Sequence, residues 1–433
     1  MKRTRARVAV PPRGCRAFVV ALLLAAGPCF TPSASGQPSS GADGTELLTI
    51  DHYVRHVSTA PALESEIAQL YVRERVAAGV LARTAGFGER VVLFVHGAGT
   101  PAEVAFDVPH EDYSWMAYLA AAGYDVFSMD MTGYGRSTRP LAMNDPCNLA
   151  PEAQRALIPR TLDAECEPSR SRSLTTIASD WDDIDAVVEY LRALRGVERI
   201  SLIGWSQGGP RAGGYAARHP EKVARIVLLA PAYTANSPAD PPTWVAAGAG
   251  LDAAAAGGAA RAAGRAASEP ATDVSASARP ADAPAVMTSQ SQADFVANWD
   301  RQVGCADQYD PAVAAAVWSE MLASDPVGAT WGPGVRRAPR VPVWGWNRDV
   351  VSRTQTPMLL VAGVHDGQVN PDRVRLLYEH LGSPSKVLLD LGCASHNAMW
   401  ERVHGLLFRA SLEWLDRGTV DGMERGVVRL GYE

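Results

Sequence analysis

A chain of 433 residues, 47% hydrophobic and 20% charged, is long enough to bury a sizeable core in one large domain or two small ones, which excludes a wholly disordered chain. The formal net charge is −6, from 41 basic and 47 acidic residues; six of the basic ones lie before Gly36, and without them the balance is 35 against 47, or −12. An acidic body of this kind argues against nucleic acid and anionic membrane surfaces as partners.

In chain order, Lys2, Arg3, Arg5, Arg7, Arg13 and Arg16 precede an apolar run at 18–26 and then a stretch rich in Pro, Ser and Gly. The run is shorter than the roughly 20 apolar residues that span a bilayer. The pattern predicts a signal peptide over residues 1–36, with Ala34 and Gly36 near the cleavage point; the alternative is an uncleaved anchor. Lipoprotein and twin-arginine signals fit poorly, since Gly27-Pro28 precedes Cys29 and Arg3 and Arg5 are not adjacent. The expected location is therefore secreted or periplasmic, with no stable membrane anchor after cleavage.

Residues 37–46 read as a flexible leader. Residues 47–57 and 67–76 alternate as strands do and predict an antiparallel start to a sheet. Residues 91–95 form an apolar strand that ends in His96-Gly97-Ala98-Gly99. A helix is expected over 112–122, then a strand over 124–129 leading into Asp130-Met131-Thr132-Gly133-Tyr134-Gly135-Arg136-Ser137. Over 180–194, Ile184, Val187, Val188 and Leu191 recur at helical spacing, and Gly196 is placed to end that helix. A strand at 200–203 runs into Gly204-Trp205-Ser206-Gln207-Gly208 and a helix-like stretch. Further strands are expected at 226–230, at 358–362 before Gly363-Val364-His365-Asp366-Gly367, and at 386–391 before Gly392-Cys393-Ala394-Ser395-His396. A last helix follows at 402–415. Strands alternating with helices predict one doubly wound α/β domain with an insertion.

The insertion, residues 232–355, divides in two. Residues 238–285 are dominated by Ala, Gly and Pro with little to bury, and are expected to be disordered or loosely helical. The second part concentrates Phe295, Trp299, Trp318, Trp331, Trp344 and Trp346. These aromatics either line an acyl or aromatic pocket or make the insertion's own core; Trp205, Trp331, Trp344 and Trp346 are the candidate substrate contacts. There is no internal repeat.

Beyond the leader, Cys147, Cys166, Cys305 and Cys393 remain, which in an exported chain reads as two disulfides. Cys147 and Cys166 bracket a loop-like stretch whose closure is worth about 3 kcal/mol in the chain-entropy model. Cys305 is left for Cys393, three residues before His396. The alternative is free buried thiols. No C-x-x-C or Cys/His cluster suggests a zinc site, and no metal or other cofactor is expected.

Gly204-Trp205-Ser206-Gln207-Gly208 is a G-x-S-x-G pattern between a strand and a helix. The turn is too tight for side chains two residues to either side of Ser206, and the helix N-terminus favours developing negative charge. A serine hydroxyl needs a base in contact and a third group to orient the base. His396, in a loop after a predicted strand, is the base and then the acid. Asp366 accepts the other imidazole N–H. His380 and His404 fall inside predicted helices, and His52, His56, His110 and His219 lack the right chain order.

With Ser206, Asp366 and His396 in that order, the chain resembles the α/β-hydrolase superfamily, over residues 91–231 and 356–416. The resemblance implies an α/β-hydrolase fold, a mostly parallel sheet whose core comes in two parts (47–231 and 356–433) with a cap or lid at 232–355. It implies an oxyanion hole made by the backbone N–H groups of Gln207 and, from the H-G-x motif, Ala98. It makes His96 a loop-shaping residue and the Asp130 to Ser137 turn, similar to the family's D-x-x-G-x-G-x-S, architectural. Some members place the acid after the preceding strand, where Asp240 is the rival, although its Pro-rich run suits a rigid orienting role poorly.

The expected function is a serine hydrolase that cleaves a carboxylic ester or lactone through an acyl-enzyme intermediate. A serine peptidase or aminopeptidase of the same fold is the alternative, ahead of a non-catalytic binding protein. Serine at the elbow disfavours dehalogenase and epoxide hydrolase chemistry, whose relatives place Asp there. Lid length, tryptophans and export together suggest a hydrophobic or bulky extracellular ester, small or polymeric.

Overall fold

The computed structural model describes residues 46–82, 86–238, 285–332, 334–341 and 345–432. The signal peptide, almost all of the leader, almost all of the low-complexity part of the insertion, Asp240 and Trp344 lie outside the described residues.

Eleven strands are described: β1 (Leu47–Val57), β2 (Ile67–Ala77), β3 (Val91–Val95), β4 (Asp125–Met129), β5 (Ile200–Trp205), β6 (Val223–Leu229), β7 (Met287–Gln290), β8 (Arg336–Pro339), β9 (Met358–Gly363), β10 (Lys386–Leu391) and β11 (Arg425–Leu430). Nine of them form one sheet in the order β1-β2-β4-β3-β5-β6-β9-β10-β11. β1 pairs antiparallel with β2, and β2 with β4; the remaining neighbours are parallel. This is the mostly parallel, doubly wound sheet expected from the sequence. β7 and β8, both from the insertion, form a separate antiparallel pair.

The central strands are mostly apolar because both of their faces are covered by helices. The period of two shows in β3: Val92 and Phe94 join the core on one face, while Val91, Leu93 and Val95 join the other. On the first face, helices Trp115–Ala121 and His404–Arg417 bury Trp115, Met116, Leu119, Phe408 and Trp414. On the second, helices Ile177–Arg195, Gly208–Arg218 and Pro371–His380 bury Ile184, Val188, Tyr215 and Leu377.

Boundaries differ where capping chemistry outweighs periodicity. The helix expected over 180–194 begins at Ile177, because Thr176 and Ser179 form a reciprocal capping box. It ends as expected at Gly196, whose φ of 63° is the left-handed C-cap. β11 had no sequence signal: only Val428 is buried, and the strand forms by pairing with β10.

The described tryptophans of the insertion are packing residues. Phe295, Trp299 and Trp318, from helices Gln292–Asp300 and Pro311–Ser324, join the first core and contact Trp400 or one another. Trp331 lies in a small separate cluster with Met143, Leu149, Leu157 and Leu174. Trp346 is fully buried against Tyr233 and Gly213, where an added Cβ would lie 2.4 Å from its ring. Trp331 and Trp346, expected as substrate contacts, thus both lie in buried side-chain clusters.

Cys147 and Cys166 stand 5.3 Å apart at Cα, and Cys305 and Cys393 5.7 Å apart, both within the range of disulfide geometry. Peptide mapping of the unreduced protein should recover these two linkages. Recovery of Cys147 joined to Cys393, or of four alkylatable thiols from protein made in an oxidising compartment, would contradict this pairing.

Candidate active site

Ser206 lies between the end of β5 and helix Gly208–Arg218, with φ of 57°, a left-handed conformation rare for a residue with a side chain. The glycines around it are required by contact. A Cβ on Gly204 would lie 2.5 Å from the Gly208 carbonyl oxygen, and one on Gly208 would lie 2.4 Å from the Val95 carbonyl oxygen. The turn is held from outside: the Ser206 N–H donates to the Leu229 carbonyl, and its carbonyl accepts from Gly209 and Ala232, each at 2.9 Å.

Asp366 and His396 follow β9 and β10 at the same carboxyl-terminal edge of the parallel strands. His396 Nδ1 lies 2.9 Å from Asp366 Oδ2, and both residues are buried. The other carboxylate oxygen, Oδ1, accepts from the backbone N–H groups of Gln368 and Val369 at 2.8 Å. The carboxylate is thus fixed by its own turn and presents one oxygen to the imidazole, which sets that ring nitrogen as the donor. The two loops are pressed together: a Cβ on Gly363 would lie 2.5 Å from the Ser395 carbonyl oxygen.

Trp205, expected as a substrate contact, serves a different purpose. Its ring is buried, packs 5.4 Å from the His396 ring, and donates through Nε1 to the His396 carbonyl at 2.8 Å. The residue beside Ser206 therefore anchors the histidine loop.

The loop after β3 brings Ala98 to the elbow. A Cβ on Gly97 would lie 2.9 Å from the Ser206 Cβ, so only glycine allows this approach. Ala98 and Gln207 line one cavity of about 530 Å³. The Gln207 side chain donates to the Val341 carbonyl of the insertion at 2.9 Å. His96 is buried, with Nδ1 2.7 Å from the Gly97 carbonyl, and its Nε2 accepts from the Met131 N–H at 3.1 Å. Burial first, and Arg211 second, hold its pKa well below the usual imidazole range. A neutral histidine saturated by backbone partners shapes its loop. Asp130 is likewise spent on backbone, accepting from Ala102 and Arg136.

Sequence reasoning missed the residues that hold these loops. The fully buried Arg211 donates to the carbonyls of His96 and Gly97 at 3.0 and 2.9 Å, and its charge is met by Asp180 at 2.7 Å. On the other side, Gln302 of the insertion accepts through one oxygen from Gly367 N–H at 3.0 Å and His396 N–H at 3.4 Å. Glu401 accepts from Ser395 N–H, Ser395 Oγ, Gln308 Nε2 and Trp299 Nε1, between 2.5 and 3.0 Å. Burial pushes the Glu401 carboxyl up from its ordinary value, and those donors act against it. None of the three residues lies in a motif; each is a lone polar side chain in sequence and gains meaning only from its partners.

Among the described residues no group of three His, Cys, Asp or Glu side chains is arranged to hold a metal, and no helix is long and apolar enough to cross a membrane.

A family model described as the alpha/beta hydrolase fold matches residues 90–403. Among curated proteins, the poly(3-hydroxyalkanoate) polymerase subunit PhaC of Allochromatium vinosum is 28% identical over 119 residues, which is 28% of this chain and 24% of that protein. The match thus spans about a quarter of that relative's length. Among solved structures, the chain is similar to a monoacylglycerol lipase of Paleococcus ferrophilus, at 20% identity over 81% of this chain and 99% of that one, with a TM-score of 0.45. It is also similar to a carboxylesterase of Bacillus subtilis, at 13% identity over 86% and 93% of the two chains, with a TM-score of 0.48.

Glu401→Ala should leave four buried donors without their acceptor. The expected loss of stability is at least about 3 kcal/mol, since unmatched buried donors cost about 1–3 kcal/mol each and partial relaxation offsets some of that. Urea unfolding measures it; a loss under about 1 kcal/mol would show that the network holds nothing.

Proposed function

The chain belongs to the alpha/beta hydrolase fold family, and from that premise we propose that it is a serine hydrolase cleaving a carboxylic ester or lactone through an acyl-enzyme intermediate. The observation that carries the reading is the buried contact of His396 with Asp366, at 2.9 Å, on the strand edge where Ser206 is held at positive φ.

In this reading, His396 Nε2 takes the Ser206 hydroxyl proton as Oγ bonds to the substrate carbonyl carbon. The carbonyl oxygen becomes the oxyanion, which the backbone N–H groups of Ala98 and Gln207 receive. Asp366 stabilises the imidazolium and stays ionised. The intermediate collapses, the bond to the alkoxy group breaks, and His396 returns its proton to the leaving alcohol. Water then repeats the sequence on the acyl-enzyme, with His396 as its base, and releases the acid. The surroundings fit these roles: Trp205 and Gln302 grip the histidine loop, and Arg211 grips the carbonyls of the loop that carries Ala98.

Export belongs to the same proposal. Two cysteine pairs at bonding distance support an oxidising compartment.

A fluorophosphonate should add one label, at Ser206, and Ser206→Ala should abolish both labelling and ester turnover. Labelling at a different serine would overturn the assignment. Asp366→Asn should retain the fold by circular dichroism and lower kcat on the order of 10⁴-fold, because an amide orients the wrong imidazole tautomer. A loss below tenfold would assign the acid elsewhere.

A further inference from the structure

The cavity that reaches Ala98 and Gln207 is walled on its far side by the insertion, through Gln290, Arg336 and Arg340. Arg336 is placed against the oxyanion loop itself. A Cβ on Gly99 would lie 2.8 and 2.9 Å from its two terminal nitrogens, so the guanidinium rests one residue beyond Ala98. Its hydrogen bonds go to Thr100 Oγ1 at 3.3 Å and Gln290 Oε1 at 2.5 Å, both neutral acceptors.

The neighbouring residue shows what a matched arginine looks like in this fold. Strand alternation turns Arg337 to the opposite face of β8. There it meets Asp325 through two hydrogen bonds, at 2.8 and 3.2 Å, and Arg139 shares the same carboxylate at 3.0 Å. Among the described residues neither Arg336 nor Arg340 has a carboxylate within ion-pair distance. Arg340 Nε is buried with no hydrogen-bond partner among them. Asp294, the carboxylate on the cavity wall, accepts from Ser291 Oγ at 2.6 Å. Burial pulls the Arg336 guanidinium down to about 10, and Tyr134 and the more distant Asp325 carboxylate offset only part of that. It remains a cation at neutral pH, and among the described residues no carboxylate is in contact with it.

We propose that this cavity recognises an ester that carries a free carboxylate, and that Arg336, assisted by Arg340, selects for it. The planar fork of a guanidinium fits a carboxylate through two parallel hydrogen bonds, and a substrate carboxylate supplies a charge that no described residue places in contact with Arg336. The inference rests on the ester-hydrolase reading for the chemistry, while the anion site stands on its own geometry. Arg336 acts on binding and takes no part in bond cleavage.

The test compares mono-p-nitrophenyl adipate with its methyl ester, two substrates that differ only in the distal charge. The unmodified protein should prefer the free acid at least tenfold in kcat/KM. Arg336→Gln should lower that preference at least tenfold through KM, and Arg336→Lys should keep part of it. A preference absent from the unmodified protein, or an Arg336→Gln loss equal on both esters, would overturn the proposal and leave Arg336 as a tie between β8 and the 99–100 loop. Should Arg336→Gln fail to fold, Arg340→Gln carries the same comparison. Calorimetry with monomethyl adipate on the Ser206→Ala protein separates the two readings. Binding at least tenfold weaker when Arg336→Gln is added supports the anion site even if no ester is turned over; equal binding, or none to either protein, refutes it whatever the esterase result.

Discussion

The carboxyl-terminal edge of this sheet is organised by a steric constraint: the start of helix Gly208–Arg218 is pressed against the end of β3. Gly208 sits so near the Val95 carbonyl that a methyl group would overlap it, and Gly204 sits as near to Gly208. With both flanks stripped of side chains, the chain turns from strand to helix within the span of Ser206, which takes up the left-handed conformation. Because β3 is the neighbour pressed in, the loop leaving β3 arrives beside the serine. The approach of Gly97 to Ser206 follows from the same packing.

A constrained elbow places one residue; the loops around it need separate anchors. Two buried polar systems supply them from opposite sides. Arg211, on the first turn of the elbow's own helix, reaches back to the carbonyls of His96 and Gly97, and Asp180 meets its charge. Burial pushes the Asp180 carboxyl up to about 6 even beside that cation, a sign of how little water the site admits. Opposite, Gln302 of the insertion accepts from the loops of Asp366 and His396, Gln308 donates to Glu401, which also accepts from Ser395 beside His396, and Cys305 is set against Cys393. The insertion thus helps to hold the loops of Asp366 and His396, and its Trp299 and Trp318 pack into the main core beside them.

β8 adds a further division of labour. Its alternation turns one arginine into a closed ion-pair cluster with Asp325 and Arg139, and the adjacent one toward the 99–100 loop, where it donates to Thr100 and Gln290. The four-residue strand joins the packing of the insertion to the wall of the cavity.

The sequence by itself determined the strands that are buried on both faces, because six consecutive residues without a polar side chain, such as those of β9, leave no exposed face to satisfy. It also determined the elbow, since glycine at 204 and 208 around Ser206 answers to a steric demand local to one turn, and the order in which Ser206, Asp366 and His396 follow their strands. It did not determine β11, whose side chains, only Val428 of them buried, carry no periodic signal and which exists by pairing with β10. Nor did it tell a pocket tryptophan from a core one: Trp205, Trp331 and Trp346 are equally large and apolar as letters, and only their neighbours decide which surface they bury. The tertiary structure alone decided the roles of Arg211, Gln302, Glu401 and Arg336. A polar side chain acquires its meaning from the groups that face it, and each of these residues has partners far along the chain: Asp180 is 31 positions from Arg211, and Thr100 is 236 from Arg336.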